Sequence, residues 1–214
     1  MSTAEIDETV AELLDRAGRT YADEAGITLK NTPAPLFELL VLSLLLSTRI
    51  SADIAVAAAR ELFSAGYRTP EKMARASWQD LVDLLGRARY KRYDESTATR
   101  LGEAAQKVLD DHDGDLRRLA KTADHDPEQV SRLVREFTGI GPVGAEIFLR
   151  EVQSVWDWVA PRFDRRALQG AAALGLPDDP EGLAGLAGGR PALLAAALVR
   201  ASLDDDLVAD LRRD

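Results

Sequence analysis

One aspartate in this sequence has the surroundings of a catalytic carboxylate. Asp164 follows an Arg-Phe pair and precedes the run RRALQGAAAL, which is typical of a helix rich in small residues. An aspartate at a helix N-cap accepts backbone N–H hydrogen bonds and lies in the positive field of the helix end. A carboxylate held in this way can stabilise a developing cation or activate a water molecule. A plain helix cap is the alternative interpretation of the same residue.

The segment TGIGPVGAEIFLRE, which runs from Thr138 to Glu151, predicts a tight turn between two helices. We expect the first helix to end at Phe137 and the second to begin at Pro142. Glycine permits positive φ and close backbone approach, and the first N–H groups of a helix have no partner within it. A duplex phosphate is the expected ligand, whereas an ordinary helical corner is the alternative. The residues expected at this contact are Gly139, Ile140, Gly141, Val143, Gly144 and Ala145.

Basic and aromatic residues elsewhere in the chain could complete a nucleic-acid site. Tyr90 and Tyr93 alternate with basic residues, a pattern that suits either base contact or ordinary packing. Trp156 and Trp158 lie shortly before Asp164 and could either wall a base pocket or fill a core. The basic residues that we expect at DNA are Arg49, Lys91 and Arg165.

The composition narrows the possible chemistry. The chain of 214 residues contains no cysteine, which excludes disulfides, thiol nucleophiles and cysteine-ligated clusters. Two histidines argue against a histidine zinc site and against a Ser-His-Asp triad. We therefore expect no metal and no iron-sulfur cluster. A net charge of −9 argues against nucleic acid as a partner, but a local basic patch can exist within an acidic chain.

The sequence predicts a cytoplasmic protein without a membrane partner. Its N-terminus, MSTAEIDETV, lacks the basic and apolar regions of a secretory signal. The longest apolar run, residues 39–46, is too short to span a bilayer.

Hydrophobic periodicity predicts helices almost throughout and no strand. Ser2 and Glu5 form a capping-box pattern before the first helix. Residues 33–48 are apolar on every side, as expected for a helix surrounded by other helices. An Asp-Pro pair at Asp126 predicts another helix start, and residues 163–213 predict three or four short helices.

The segment 138–151 resembles the hairpin of the helix-hairpin-helix DNA glycosylase superfamily. That superfamily includes endonuclease III, the adenine mismatch glycosylases and the alkylpurine glycosylases. Two further stretches carry the resemblance, LLVLSLLLSTRISADIA at 39–55 and VWDWVAPRFDRRALQGAAALGL at 155–176. The similarity spans roughly residues 33–176. It implies an all-α fold of two subdomains, 33–142 and 1–32 plus 143–214, with an active cleft between them.

The resemblance also implies roles for individual residues. Asp164 matches the essential aspartate of the superfamily, and Arg49 lies where related proteins fill the space left by a flipped base. Val143 occupies the position of the lysine that gives bifunctional members their lyase activity, so none is expected here. Leu44 aligns with the base-protonating glutamate of the adenine enzymes. The Gly-Ile-Gly-Pro turn and the segment around Asp164 are most similar to those of the alkylpurine glycosylases. A monovalent cation at the hairpin is compatible with this resemblance.

These observations lead to one main hypothesis and two alternatives. The main hypothesis is a monomeric, monofunctional DNA glycosylase that flips a damaged base from duplex DNA and hydrolyses its glycosidic bond through Asp164. The first alternative is a catalytically inactive helix-hairpin-helix module that binds distorted DNA. The second is an unrelated all-α interaction protein, which the acidic net charge favours.

Overall fold

The computed structural model describes residues 2–212, and the fold over this range is all-α, as the sequence predicts. A short 3-10 helix, Asp157–Val159, lies between α10 and α11. In chain order the helices are α1 (Thr3–Ala17), α2 (Tyr21–Glu24), α3 (Pro33–Leu46), α4 (Ala52–Ser64), α5 (Pro70–Ala74), α6 (Trp78–Arg87), α7 (Asp94–His112), α8 (Leu116–Thr122), α9 (Pro127–Val134), α10 (Pro142–Val152), α11 (Arg165–Leu174), α12 (Pro180–Leu186), α13 (Pro191–Ala201) and α14 (Asp205–Leu211).

Local capping signals determine where most of these helices begin. The predicted capping box at α1 is confirmed, since the Ser2 and Glu5 side chains each bond the backbone of the other. Asp126 caps α9 through the N–H of Glu128, with proline in the first turn. The end of α9 was predicted less well. Regular helix stops at Val134 rather than Phe137, and the last residues before the hairpin form tighter turns.

The chain divides into two compact units. Ala22–Leu149 forms the first, here called the hairpin unit. The segment through Tyr21 and the segment from Arg150 onward form the second, here called the carboxylate unit. In the hairpin unit, α3 is buried on all sides from Leu36 to Leu45, as its uniformly apolar sequence predicts.

The carboxylate unit contains α1 and α11–α14 around a core of small and branched apolar side chains. Val10 and Leu13 of α1 pack there with Leu174 of α11. A Cβ added at Gly170 of α11 would lie 1.9 Å from the carbonyl oxygen of Leu198 in α13. The small residues of α11 therefore allow its backbone to approach α13 closely, which fixes the helix that begins at Asp164.

Within residues 2–212, no single helix has both the length and the apolar composition of a membrane span. The helices α12 and α13 meet those criteria only as a pair, and the pair is bent by 109°.

Candidate active site and nucleic-acid face

Of the two glycines in the hairpin turn, only Gly139 has the positive φ that glycine permits. Gly139 has a φ of 95°, whereas Gly141 has no positive φ and open space where a Cβ would lie. Ile140 between them is 3% exposed and packs inward. Ala145 is also buried, and its N–H donates to the carbonyl of Gly141. The turn therefore needs glycine at 139 for its conformation, while Gly141 leaves space beside the backbone.

The start of α10 presents unbonded donors. Among the described residues, no hydrogen bond uses the backbone N–H of Gly141 or Val143, and α10 has no acidic residue in its first turn. Both residues are exposed, and the Val143 side chain is 63% exposed. An exposed helix start with free N–H groups and no carboxylate of its own is suited to an anion.

Gly144 brings this helix start against the end of α3. A Cβ at Gly144 would lie 1.9 Å from Oγ of Ser47 and 3.3 Å from the carbonyl oxygen of Ser43. The Ser47 hydroxyl in turn donates to that carbonyl at 2.7 Å. The hairpin is thus next to the loop that follows α3, which contains the exposed side chain of Arg49.

Tyr90 joins a second basic loop to the same region. Its ring is fully buried, and its hydroxyl lies 2.6 Å from the Thr48 hydroxyl and donates to the Leu45 carbonyl at 3.2 Å. Burial raises the pKa of the Tyr90 hydroxyl, so it remains a donor at neutral pH. Tyr90 is therefore a packing residue rather than a stacking platform.

We call the resulting surface of the hairpin unit the basic face. It combines the exposed start of α10 with two loops, one after α3 and one between α6 and α7. A Cβ at Gly139 would lie 2.7 Å from Cδ of Arg100, so the side chain of this further arginine lies beside the turn. The exposed basic side chains of the two loops are Arg49, Arg89, Lys91 and Arg92.

In the carboxylate unit, Asp164 is the N-cap of α11. Its Oδ1 accepts the Ala167 N–H at 2.9 Å, and its Oδ2 accepts a hydrogen bond from Nη1 of Arg150. Asp164 is 8% exposed and Arg150 2%. The capping role predicted from sequence is present, and it is combined with a buried ion pair that the sequence did not suggest.

The loop that leads to Asp164 is held by one amide side chain. Gln153 donates from Nε2 to the Arg162 carbonyl at 2.7 Å and accepts the Arg162 N–H at its Oε1 at 2.8 Å. The same Nε2 donates to the Arg150 carbonyl at 2.9 Å. Gln153 therefore ties the Asp164 loop to the last turn of α10, beside the arginine that pairs with Asp164.

Arg150 is surrounded by further charged and aromatic groups. Its Nε lies 3.7 Å from Oε1 of Glu151, which is 1% exposed. Its guanidinium lies 5.6 Å from the ring centre of Tyr21, and the guanidinium of Arg200 lies 4.8 Å from the same ring. Within the described residues, Nε and Nη2 of Arg150 make no hydrogen bond. Cation–π contact and two carboxylates thus stabilise this buried cation.

The other predicted residues of this unit are placed differently. Trp156 is 2% exposed and stacks on Trp158, with ring centres 5.2 Å apart. Trp158 is half-buried. Arg165 is exposed at the first position of α11.

Sequence reasoning missed Arg150, Gln153 and the burial of Glu38. The available signals were a charged residue near the end of apolar helix α10 for Arg150 and a polar residue directly after that helix for Gln153. Glu38 in α3 is 4% exposed and pairs with Arg68 at 3.0 Å. Burial raises the pKa of Glu38, and Arg68 offsets part of this effect.

No cluster of three or more His, Cys, Asp or Glu side chains that could hold a metal occurs in residues 2–212. No protein-family model matches the chain, and no curated protein matches it either. The interpretation of both sites therefore depends on their own geometry.

Proposed function

We propose that this protein is a monofunctional DNA glycosylase that binds duplex DNA through the basic face and uses Asp164 in hydrolysis. The observation that carries the DNA-binding part is the exposed start of α10, where Gly141 and Val143 have unbonded N–H groups next to the Arg49 loop. Free N–H groups at a helix start bind phosphate, and the surrounding cations add attraction that does not depend on sequence. Arg49 is the candidate to occupy the space of a flipped base.

Asp164 supplies the chemistry in this proposal. One of its oxygens is bound by a backbone N–H and the other by Arg150, which gives the carboxylate a fixed orientation. A preorganised carboxylate stabilises an oxocarbenium-like sugar and can orient the attacking water. Exposed Val143 provides no amine, so the reaction proposed is hydrolysis of the glycosidic bond without strand cleavage.

The proposal is tested on a panel of duplexes that each contain one damaged base. We expect abasic sites, detected as strand breaks that appear only after hot alkali, on at least one duplex. Borohydride should trap no covalent protein–DNA species, because valine occupies position 143, where a lysine would be needed to form an imine. Breaks without alkali would contradict the monofunctional assignment.

The Arg150–Asp164 ion pair favours a second candidate function. A carboxylate that is already neutralised by a buried guanidinium could serve only to hold α11, in which case the protein binds distorted DNA without cleaving it. Salt-sensitive binding to a mismatched or abasic duplex, with no abasic sites formed on any lesion, would establish this alternative.

A further inference from the structure

We propose that Arg89 is a fixed phosphate ligand of the basic face, at a backbone position where glycine would make the protein more stable. The inference rests on the proposed function, because it assigns one cation of the basic face to the backbone of duplex DNA. Arg89 is a binding residue in this assignment and has no part in the chemistry. The stability that the arginine costs and the affinity that it adds can be measured separately.

Arg89 occupies the left-handed position of the turn that ends α6. Its φ is 63°, its N–H donates to the Gly86 carbonyl at 3.0 Å, and the N–H of Tyr90 donates to the Leu85 carbonyl at 3.0 Å. These two hydrogen bonds define a Schellman motif, in which glycine is the usual residue at the position of Arg89. A Cβ in the left-handed region crowds the following carbonyl, so arginine is less stable there than glycine.

Other helix ends in the same chain show which residues this turn otherwise contains. The helices α2, α4, α8 and α11 also end with one N–H bonded three positions back and the next N–H bonded five positions back. At α8 the left-handed residue is Asp124, and aspartate tolerates positive φ better than most residues. At the other three it is glycine, namely Gly26, Gly66 and Gly175. Arginine at α6 is therefore the exception, and the turn itself does not account for it.

The surroundings of Arg89 indicate binding as the reason. Its side chain is exposed and forms no hydrogen bond or salt bridge within residues 2–212. The next residue, Tyr90, is fully buried, and its hydroxyl lies 2.6 Å from that of Thr48. The turn thus directs Tyr90 inward and Arg89 outward, in the same loop as exposed Lys91 and Arg92. A guanidinium without a partner in the protein is available to a phosphate, and a fixed backbone lowers the entropy lost on binding.

The helix dipole of α6 is a competing explanation for a cation at this position. A positive charge near a helix C-terminus is stabilised by the dipole, but Arg87 already lies in the last turn of α6. Salt screens the dipole interaction and does not change backbone strain. Stability measured at about 0.5 M salt therefore separates the two explanations.

The first measurement compares melting temperatures at that salt concentration. Arg89→Gly should melt about 1–3 °C above the wild type, because relief of the left-handed strain exceeds the greater freedom of glycine in the unfolded chain. Arg89→Lys should melt with the wild type, since lysine has a similar side chain at the same strained position.

The second measurement is DNA binding as a function of salt. The probes are a duplex that contains one uncleavable tetrahydrofuran abasic site and the unmodified duplex of the same sequence. Arg89→Gly should bind both at least about 3-fold more weakly at low salt and should lower the slope of log affinity against log salt by about 1. The loss should be equal on the two duplexes, because a phosphate contact does not depend on the base. Arg89→Lys keeps the charge and should keep most of the slope.

Two controls separate the backbone change from the charge change. Asp124→Gly introduces glycine at the same position of the motif at the end of α8. Lys121→Ala removes one exposed positive charge from α8. Both variants should bind the two duplexes with the wild-type salt slope.

The inference is overturned if Arg89→Gly keeps the wild-type slope, or if it is no more stable than the wild type at about 0.5 M salt. It is also overturned if the wild type does not bind duplex DNA in a salt-dependent way, a result that would refute the basic face as well. A slope that depends on Arg89, without abasic sites on any lesion, would refute the proposed catalysis and leave Arg89 as a phosphate ligand. Excision combined with an unchanged slope in Arg89→Gly would do the reverse.

Discussion

Arg150 donates from Nη1 to Oδ2 of Asp164, so the last turn of α10 and the first turn of α11 share a buried ion pair. The other oxygen of Asp164 accepts the Ala167 N–H at 2.9 Å. From the sequence alone, Asp164→Asn is expected to preserve the fold because asparagine also caps helices. The ion pair changes that expectation, since the amide would leave the guanidinium of Arg150 buried without a charged partner on that side.

We therefore expect Asp164→Asn to reduce excision by at least ~100-fold and also to destabilise the protein. Breaking a buried pair from one side costs about 3–5 kcal/mol in the free energy of unfolding. The double variant Arg150→Met/Asp164→Asn should recover part of that stability but no activity, because no unpaired guanidinium remains, although Glu151 loses its guanidinium neighbour. Urea unfolding and single-turnover excision measure the two effects separately. Full excision by folded Asp164→Asn would remove Asp164 from the mechanism.

The two hairpin glycines should respond differently to alanine. Gly139→Ala places a side chain at a φ of 95° and 2.7 Å from Cδ of Arg100, so we expect a loss of about 1–3 kcal/mol in stability. Gly141→Ala meets no atom within 4 Å and should leave stability nearly unchanged. If phosphate approaches the backbone there, the added methyl group should still weaken DNA binding. Thermal unfolding and gel-shift titration of both variants test this, and equal binding by Gly141→Ala and wild type would place the phosphate elsewhere.

The sequence predicted those parts of the molecule that depend on neighbouring residues. The capping box at Ser2, the start of α9 at Asp126 and the cap at Asp164 each use groups two or three positions apart. The pairs that build the sites are more distant in sequence. Thr48 and Tyr90 are 42 residues apart and Arg150 and Asp164 are 14 apart, so only tertiary packing brings them together.

The sequence also did not predict which charged side chains are buried. Glu38 is buried within an apolar helix, and its partner Arg68 lies 30 positions away. A pair of that separation leaves no periodic signal in either segment. The pair of Arg150 and Asp164 is hidden in a similar way, because the two residues belong to successive helices and lie 14 positions apart.

The close approach of α10 to α3 at Gly144 gives a further prediction. A methyl group there would lie 1.9 Å from Oγ of Ser47 and 3.0 Å from Cγ2 of Ile140, so Gly144→Ala should cost about 1–3 kcal/mol. Ser47→Ala removes the nearest atom, and the double variant should therefore be more stable than Gly144→Ala alone. Urea unfolding of the wild type, both single variants and the double variant measures the coupling. Additive effects would show that Ser47 is not the obstacle.

Lys91 should contribute to DNA binding without contributing to base choice. It is exposed in the loop that Tyr90 anchors beside Thr48, and a lysine at a phosphate adds a salt-dependent, sequence-independent term. Lys91→Ala should weaken binding to every duplex and lower the slope of log affinity against log salt by about 1. Lys121→Ala removes an exposed lysine from α8 and is the matched control. Identical salt slopes for the two variants would exclude Lys91 from the interface.

His112 at the end of α7 should make the stability of the fold depend on pH. It is 7% exposed, its ring centre lies 6.5 Å from that of Phe137, and its Nδ1 has no hydrogen-bond partner among the described residues. Burial lowers the pKa of His112 below the ordinary value of 6.5, although the nearby charge of Asp111 offsets part of the effect. The unfolded chain then binds more protons than the folded one below pH 6.5, so stability is lost as the pH falls toward the folded pKa.

We expect His112→Gln, which is neutral at every pH, to lose less stability than the wild type between pH 7.5 and 5.5. His125→Asn is the control, because His125 is exposed and asparagine tolerates its positive φ of 55°. Urea unfolding at the two pH values measures all three proteins, and an equal loss in wild type and His112→Gln would assign the pH dependence to the carboxylates instead.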